Sequence, residues 1–157
     1  MSIKVTEDKI VRIGKVKKLY DDAVIPTRGS EEAAGYDLYA YISDNGMFEI
    51  KPHETIKIGT GVAIAAPKGT FGAIFPRSGL ATKSGLAPAN KVGVCDSDYN
   101  GEYIVALHNH SNKTAYVHHG DRIAQLVFIP YVAVHFNEVE ELDETERGSG
   151  GFGSTGV

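Results

Sequence analysis

Two carboxylates set among glycines, in Gly93-Val94-Cys95-Asp96-Ser97-Asp98-Tyr99-Asn100-Gly101, are the first candidates for chemistry in this chain of 157 residues. Apolar residues lead in (Val92, Val94) and alternate afterwards (Tyr103, Val105, Leu107). The stretch therefore reads as strand, tight turn, strand, with the acids where the first strand ends. A carboxylate held there by rigid backbone and open to a cleft is placed as a general base is. A surface turn rich in aspartate would carry the same letters.

A second cluster is Arg77-Ser78-Gly79-Leu80-Ala81-Thr82-Lys83-Ser84-Gly85-Leu86. Its hydroxyls, glycines and two cations suit an anion nest, in which backbone N–H groups converge on phosphate oxygens and Arg77 adds a charged fork. The alternative is a polar loop with a capped turn. The stretch has room for one helical turn, the only plausible helix in the chain. Gln125 is the lone amide in the apolar run from Ile123 to Ile129, so it either satisfies core backbone or reaches a ligand. At the end, Arg147, Phe152, Gly153, Ser154 and Thr155 lie among glycines, as in a flexible tail or a closing lid. His108 and His110 would share a strand face, but no cysteine or carboxylate nearby completes a metal site, and surface histidines are the preferred reading.

The elements that must position these residues are mostly short strands. Lys9–Tyr20 mixes apolar residues with lysines, as a protected edge strand does, and Asp21–Ser30 reads as loop. A strand follows Gly35, where a neighbour must approach closely. Phe48 and Ile50 precede a turn at Pro52. Ile56, Ile58, Val62 and Ile64 keep a period of two up to Pro67-Lys68-Gly69, and Phe71, Ala73 and Phe75 form a strand ending at Pro76. Asn109–His119 reads as loop, and Val132, Val134 and Phe136 as a last strand. This pattern predicts an all-β, antiparallel sandwich or jelly roll. Residues 1–137 make one β domain, and 138–157 an acidic linker with a glycine-rich C-terminal arm.

Bulk properties narrow the function. A net charge of −4 sets nucleic acid aside as a partner. Cys95 is the only cysteine, which excludes an internal disulfide and fits a reducing cytoplasm. The N-terminal residues lack a signal-peptide pattern, and the apolar run Leu126–Val134 is too short for a bilayer and broken by Pro130. A soluble cytoplasmic protein is expected, without a membrane partner.

Taken together, the chain resembles the trimeric deoxyuridine triphosphatases (dUTPases), through five stretches in that family's order. They are Ala34-Gly35-Tyr36-Asp37-Leu38, Pro76-Arg77-Ser78-Gly79-Leu80, Gly93 to Gly101, Gly120-Asp121-Arg122-Ile123-Ala124-Gln125, and Arg147 to Gly156. The resemblance implies a jelly-roll (β-clip) subunit, a homotrimer with active sites shared between subunits, and an arm that closes over a neighbour's site. It also implies hydrolysis of dUTP to dUMP and pyrophosphate with Mg²⁺, which limits uracil incorporation into DNA and supplies dUMP for dTMP synthesis.

By the same resemblance Asp96 activates the water. Arg77, Ser78, Gly79 and Gln125 hold phosphates, and Arg147, Gly153, Ser154 and Thr155 come from the arm. A hairpin from Asn90 to Val94 reads the uracil edge, with Ile104 among the binding residues. Tyr99 packs on the sugar, and Phe152 stacks on the base. Asp37 contacts the metal through water, and Asp98 supports the turn. Cys95 departs from the family's usual aliphatic residue, which would make the site sensitive to oxidation were the thiol exposed. The rival readings are a dUTP-binding regulator with little turnover and a dCTP deaminase, the latter opposed by the glycine-rich arm.

Overall fold

The computed structural model describes residues 3–6 and 9–151. β1 (Ile3–Thr6) and β2 (Lys9–Arg12) pair only with each other. The body follows as β3 (Lys15–Lys18), β4 (Thr27–Arg28), β5 (Tyr36–Tyr39), β6 (Met47–Ile50), β7 (Thr55–Ala65) and β8 (Thr70–Phe75). The helix α1 (Ser78–Ser84) leads to β9 (Leu86–Pro88), β10 (Gly93–Cys95), β11 (Glu102–Asn109), β12 (Ala115–His118) and β13 (Arg122–Pro130). One sheet runs β10-β8-β13-β5-β4 and a second β3-β7-β11-β9, with β12-β6 as a separate ribbon. Every pairing is antiparallel.

Alternation explains β11: Tyr103, Val105, Leu107 and Asn109 are buried while Ile104 faces out. Both sheets and the ribbon contribute to one core, which includes Leu38, Ile50, Ile58, Ile74, Val117 and Leu126. Each such aliphatic side chain contributes roughly 1.5–3 kcal/mol by leaving water. Asn109 is fully buried and fully satisfied: its Nδ2 donates to the Ile50 and Lys113 carbonyls, and its Oδ1 accepts from Ser111 N–H.

Four steps along β7 face two along β11 between Gly59 and Ala63. Gly61 takes φ +68° in this bulge, a conformation that favours glycine. Its N–H donates to Glu102 Oε1 at 2.8 Å, and Thr60 Oγ1 donates to the Tyr103 carbonyl at 2.7 Å.

Several expectations need correction. The run after Asn109 is not all loop, because Ala115–His118 pairs with Met47–Ile50. Thr27–Arg28, expected as loop, pairs with Tyr36 and Asp37. The last expected strand does not form: Val132 and Phe136 are 85% and 87% exposed, with no strand among the described residues paired to them. Nor are β10 and β11 a hairpin. They belong to different sheets, so Asp96–Gly101 is a crossover from the edge strand of one sheet to an interior strand of the other. No helix among the described residues is long and apolar enough to cross a membrane.

Candidate active site

Three neighbouring strands build the first half of the site. In the sheet Asp37 of β5 sits opposite Gln125 of β13, and Gln125 opposite Phe75 at the end of β8. Pro76 stops β8, and Arg77 becomes the residue before α1, capping it without a side-chain hydrogen bond. Gly85, in the left-handed region at φ +68°, closes the helix. The result is a cavity of about 680 Å³ lined by Asp37, Arg77, Ser78, Gly79, Arg122 and Gln125, with the Gly29 and Ala33–Gly35 loop at its side.

Charge in this cavity is organised around Asp37, which is only 14% exposed. Arg77 Nε donates to Oδ1 at 2.7 Å, and Arg122 Nη1 donates to Oδ2 at 3.3 Å. Arg77 Nη1 also donates to the Arg122 carbonyl at 3.3 Å. Two cations against one carboxylate leave the cavity positive, as an anionic ligand requires. Ser78 and Gly79 are exposed on its wall. Gln125 Nε2 donates to the Pro76 carbonyl at 2.9 Å, so the amide fastens the end of β8 while facing the cavity.

The close approach expected at Gly35 is to Gln125: a Cβ there would stand 2.4 Å from its Oε1. Gly35→Ala is therefore expected to turn Gln125 off Pro76 and cost about 1–2 kcal/mol. Thermal melting checks the cost, and an unchanged midpoint would show the amide to be dispensable to the fold.

The second half lies at the crossover. A cavity of about 200 Å³ is lined by Val94, Cys95, Asp96, Tyr99, Tyr103 and Ile104. A neighbouring one of about 140 Å³ is lined by Asn90, Gly93, Val94, Cys95, Ile104 and others. Asp96 is exposed, and no described residue bonds or pairs with its carboxylate. Tyr99 N–H donates to the Asp96 carbonyl, and its hydroxyl donates to the Glu102 carbonyl at 2.9 Å, so the ring is fixed on its own turn.

The stretch from Asn90 to Val94 is a tight turn between sheets, because β9 pairs with β11 and β10 with β8. Lys91 N–H donates to the Pro88 carbonyl and Val92 N–H to the Asn90 carbonyl. Lys91, at φ +64°, redirects the chain from one sheet to the other. Val94 and Ile104 expose apolar side chains beside it.

Beneath Asp96 the Cys95 thiol is half-buried. Burial pushes it up; the Tyr103 hydroxyl opposes this, and the Asp96 charge reinforces it. Little thiolate forms at neutral pH, so the sensitivity to oxidation expected of an exposed thiol does not follow. The Tyr103 hydroxyl is enclosed beside this thiol without a hydrogen bond of normal geometry, and burial, first, then Cys95 push it up as well.

A thiol whose folded-state pKa is raised contributes stability that is fully present below the unfolded value of about 8.5, and is lost as pH climbs through the folded one. The wild-type melting temperature is thus expected to fall more steeply between pH 8 and 10 than that of Cys95→Val. Parallel declines would refute this.

The remaining sequence-predicted residues are not gathered here. Arg147 lies in a turn, its Nε donating to the Gly150 carbonyl at 2.9 Å. Phe152, Gly153, Ser154 and Thr155 lie outside the described residues. His108 and His110 do meet, with ring centroids 4.4 Å apart, and Thr55 Oγ1 hydrogen-bonds His108 Nδ1. No group of three or more His, Cys, Asp or Glu side chains among the described residues is arranged to hold a metal ion. Sequence reasoning gave Arg122 no role. Its signals were its place directly after the Gly120-Asp121 turn and within the fourth of the family-like stretches.

A positive cavity at strand ends, joined on an antiparallel β body to a free carboxylate beside an apolar slot, defines a protein that handles nucleoside phosphates. The family profile for dUTPase matches residues 21–156. Deoxyuridine 5'-triphosphate nucleotidohydrolases are similar along most of the chain. The mitochondrial one of Dictyostelium discoideum is 50% identical over 91% of this chain and 76% of its own length. That of Nautilia profundicola is 50% identical over 90% and 97%. Among solved structures, a variant dUTPase of Staphylococcus bacteriophage 80alpha with dUpNHpp superposes with TM-score 0.82 at 28% identity, covering 94% of this chain and all of that one. The chain belongs to the dUTPase family, and the activity that goes with this assignment is that of a dUTP diphosphatase.

Proposed function

We propose that the chain hydrolyses dUTP to dUMP and pyrophosphate in the cytoplasm, as a homotrimer whose active sites draw on more than one subunit. One observation carries the assembly. The phosphate-type cavity shares no lining residue with the two cavities at the crossover. A base and sugar seated at Asn90, Val94, Tyr99 and Ile104 would meet Arg77, Ser78, Gly79 and Gln125 of a second copy. The bare apolar residues Val132, Val134 and Phe136 suit burial in such an assembly.

In this reading Asp96 takes the proton of a water whose oxygen attacks the α-phosphorus, and the bond to the bridging oxygen of pyrophosphate breaks. The unpaired carboxylate suits the task because no other proton donor occupies it. Arg77 and the Ser78 and Gly79 backbone neutralise and orient the phosphates, as phosphoryl chemistry requires. The turn from Asn90 to Val94 matches the acceptor, donor, acceptor order of the uracil edge, and a wrong base would leave polar groups unpaired. Tyr99, fixed on its turn, excludes a ribose 2′-hydroxyl. The arm, residues 138–157, closes with Arg147, Phe152, Gly153, Ser154 and Thr155 over a neighbour's site.

The donor set fits Mg²⁺ held mainly by the substrate. Among the described residues Asp37 is the only carboxylate lining the phosphate-type cavity, and both its oxygens already face arginines. It would reach the ion through water. The ion supplies charge neutralisation that makes pyrophosphate a better leaving group.

The test is pyrophosphate release with magnesium from dUTP, dCTP, dTTP and UTP in parallel. Release from dUTP alone is expected. Binding of dUTP without release would make the chain a sensor instead.

A further inference from the structure

Arg122 stands outside the reading above, yet it shares Asp37 with the arginine that reading assigns to the triphosphate. We propose that Arg122 is a positioning residue which, by holding Asp37, releases Arg77 to the phosphates; this rests on the function proposed above. Asp37 is mostly enclosed, and a carboxylate stripped of its partners there is costly. Arg77 spends Nε on Asp37 Oδ1 at 2.7 Å and Nη1 on the Arg122 carbonyl at 3.3 Å. To turn its fork toward a triphosphate, Arg77 must loosen its grip on Asp37.

The geometry supplies the replacement. Arg122 Nη1 already lies 3.3 Å from the other oxygen, Oδ2, and its side chain is half in solvent at the cavity rim. With Arg122 present, Asp37 keeps a cationic partner when Arg77 departs. Without it, Asp37 competes with the ligand for Arg77. The role therefore concerns ligands that carry β- and γ-phosphates and scarcely touches those that lack them. It also runs through Asp37, because a neutral amide at that position would not compete for a guanidinium in the same way.

The experiment measures binding of a non-hydrolysable imido analogue of dUTP, and of dUMP, to the full chain without added metal. Arg122→Ala is expected to weaken the analogue by about tenfold and dUMP by less than about twofold, with Arg122→Lys recovering part of the loss. In an Asp37→Asn background the same alanine substitution is expected to change analogue binding by less than about twofold, since residues acting through one another are not additive.

Equal losses for dUMP and the analogue would overturn the proposal, as would a tenfold loss that persists with Asp37→Asn. Should Arg122→Ala not melt cooperatively, Arg122→Gln serves in its place in both backgrounds. Wild-type protein run alongside separates the two levels: failure of the wild type to bind the analogue even after magnesium is added would defeat the proposed function itself, not the role of Arg122.

Discussion

Asp96→Asn is expected to bind a dUTP analogue within about twofold of wild type while its turnover falls on the order of 10²–10⁴-fold, the range typical for loss of a general base. The substitution keeps shape and removes only the acceptor of the proton. It should leave the fold untouched, because the carboxylate is exposed and no described residue bonds to it. Pyrophosphate release measures the loss, and thermal melting controls for folding. Turnover within about threefold of wild type would move the base elsewhere. Glu102 also lines that cavity, and one of its oxygens is committed to the Gly61 N–H.

A mixture in equal parts of Asp96→Asn and Arg77→Ala chains, unfolded together and refolded, is expected to recover about a quarter of wild-type activity, although each variant alone is nearly silent. The figure follows from the separation of the cavities. If a site takes Asp96 from one chain and Arg77 from another, random assortment makes each donor intact in about half the sites, and both in about one quarter. If one chain supplied both groups, every site would carry one lesion. The mixture would then remain as silent as its components, and the shared-site arrangement would be wrong.

Local patterns in the sequence were legible where one residue's neighbours decide its conformation. The alternation of β11 showed which side chains enter the core, and Pro76 with the small polar residues after it showed where β8 stops and α1 begins. Gly35 signalled a close approach and Gln125 an obligation to find a partner; each proved to be the other's neighbour. Pairing between distant strands was not legible. Ala115–His118 looks like loop by composition and becomes strand only because Met47–Ile50 lies beside it. Val132–Phe136 has the pattern of a strand and no strand partner among the described residues.

The bulge in β7 was hidden for another reason. An excess of two residues leaves the period of two unbroken, so the buried face looks continuous. The site divided likewise. Asp96, Arg77 and Gln125 stand in recognisable company, whereas the importance of Arg122 comes from a carboxylate 85 positions away in the chain.

Beyond Pro130 the chain leaves its sheets with Val132, Val134, Phe136, Val139 and Leu142 bare on irregular backbone. Such a stretch is what intracellular proteases cleave and chaperones grip. A newly made chain that has not met its copies would thus carry its own degradation signal, and the proposed trimer would erase it. Cells would keep few orphan subunits, and the amount of protein would follow the rate of assembly as much as the rate of synthesis.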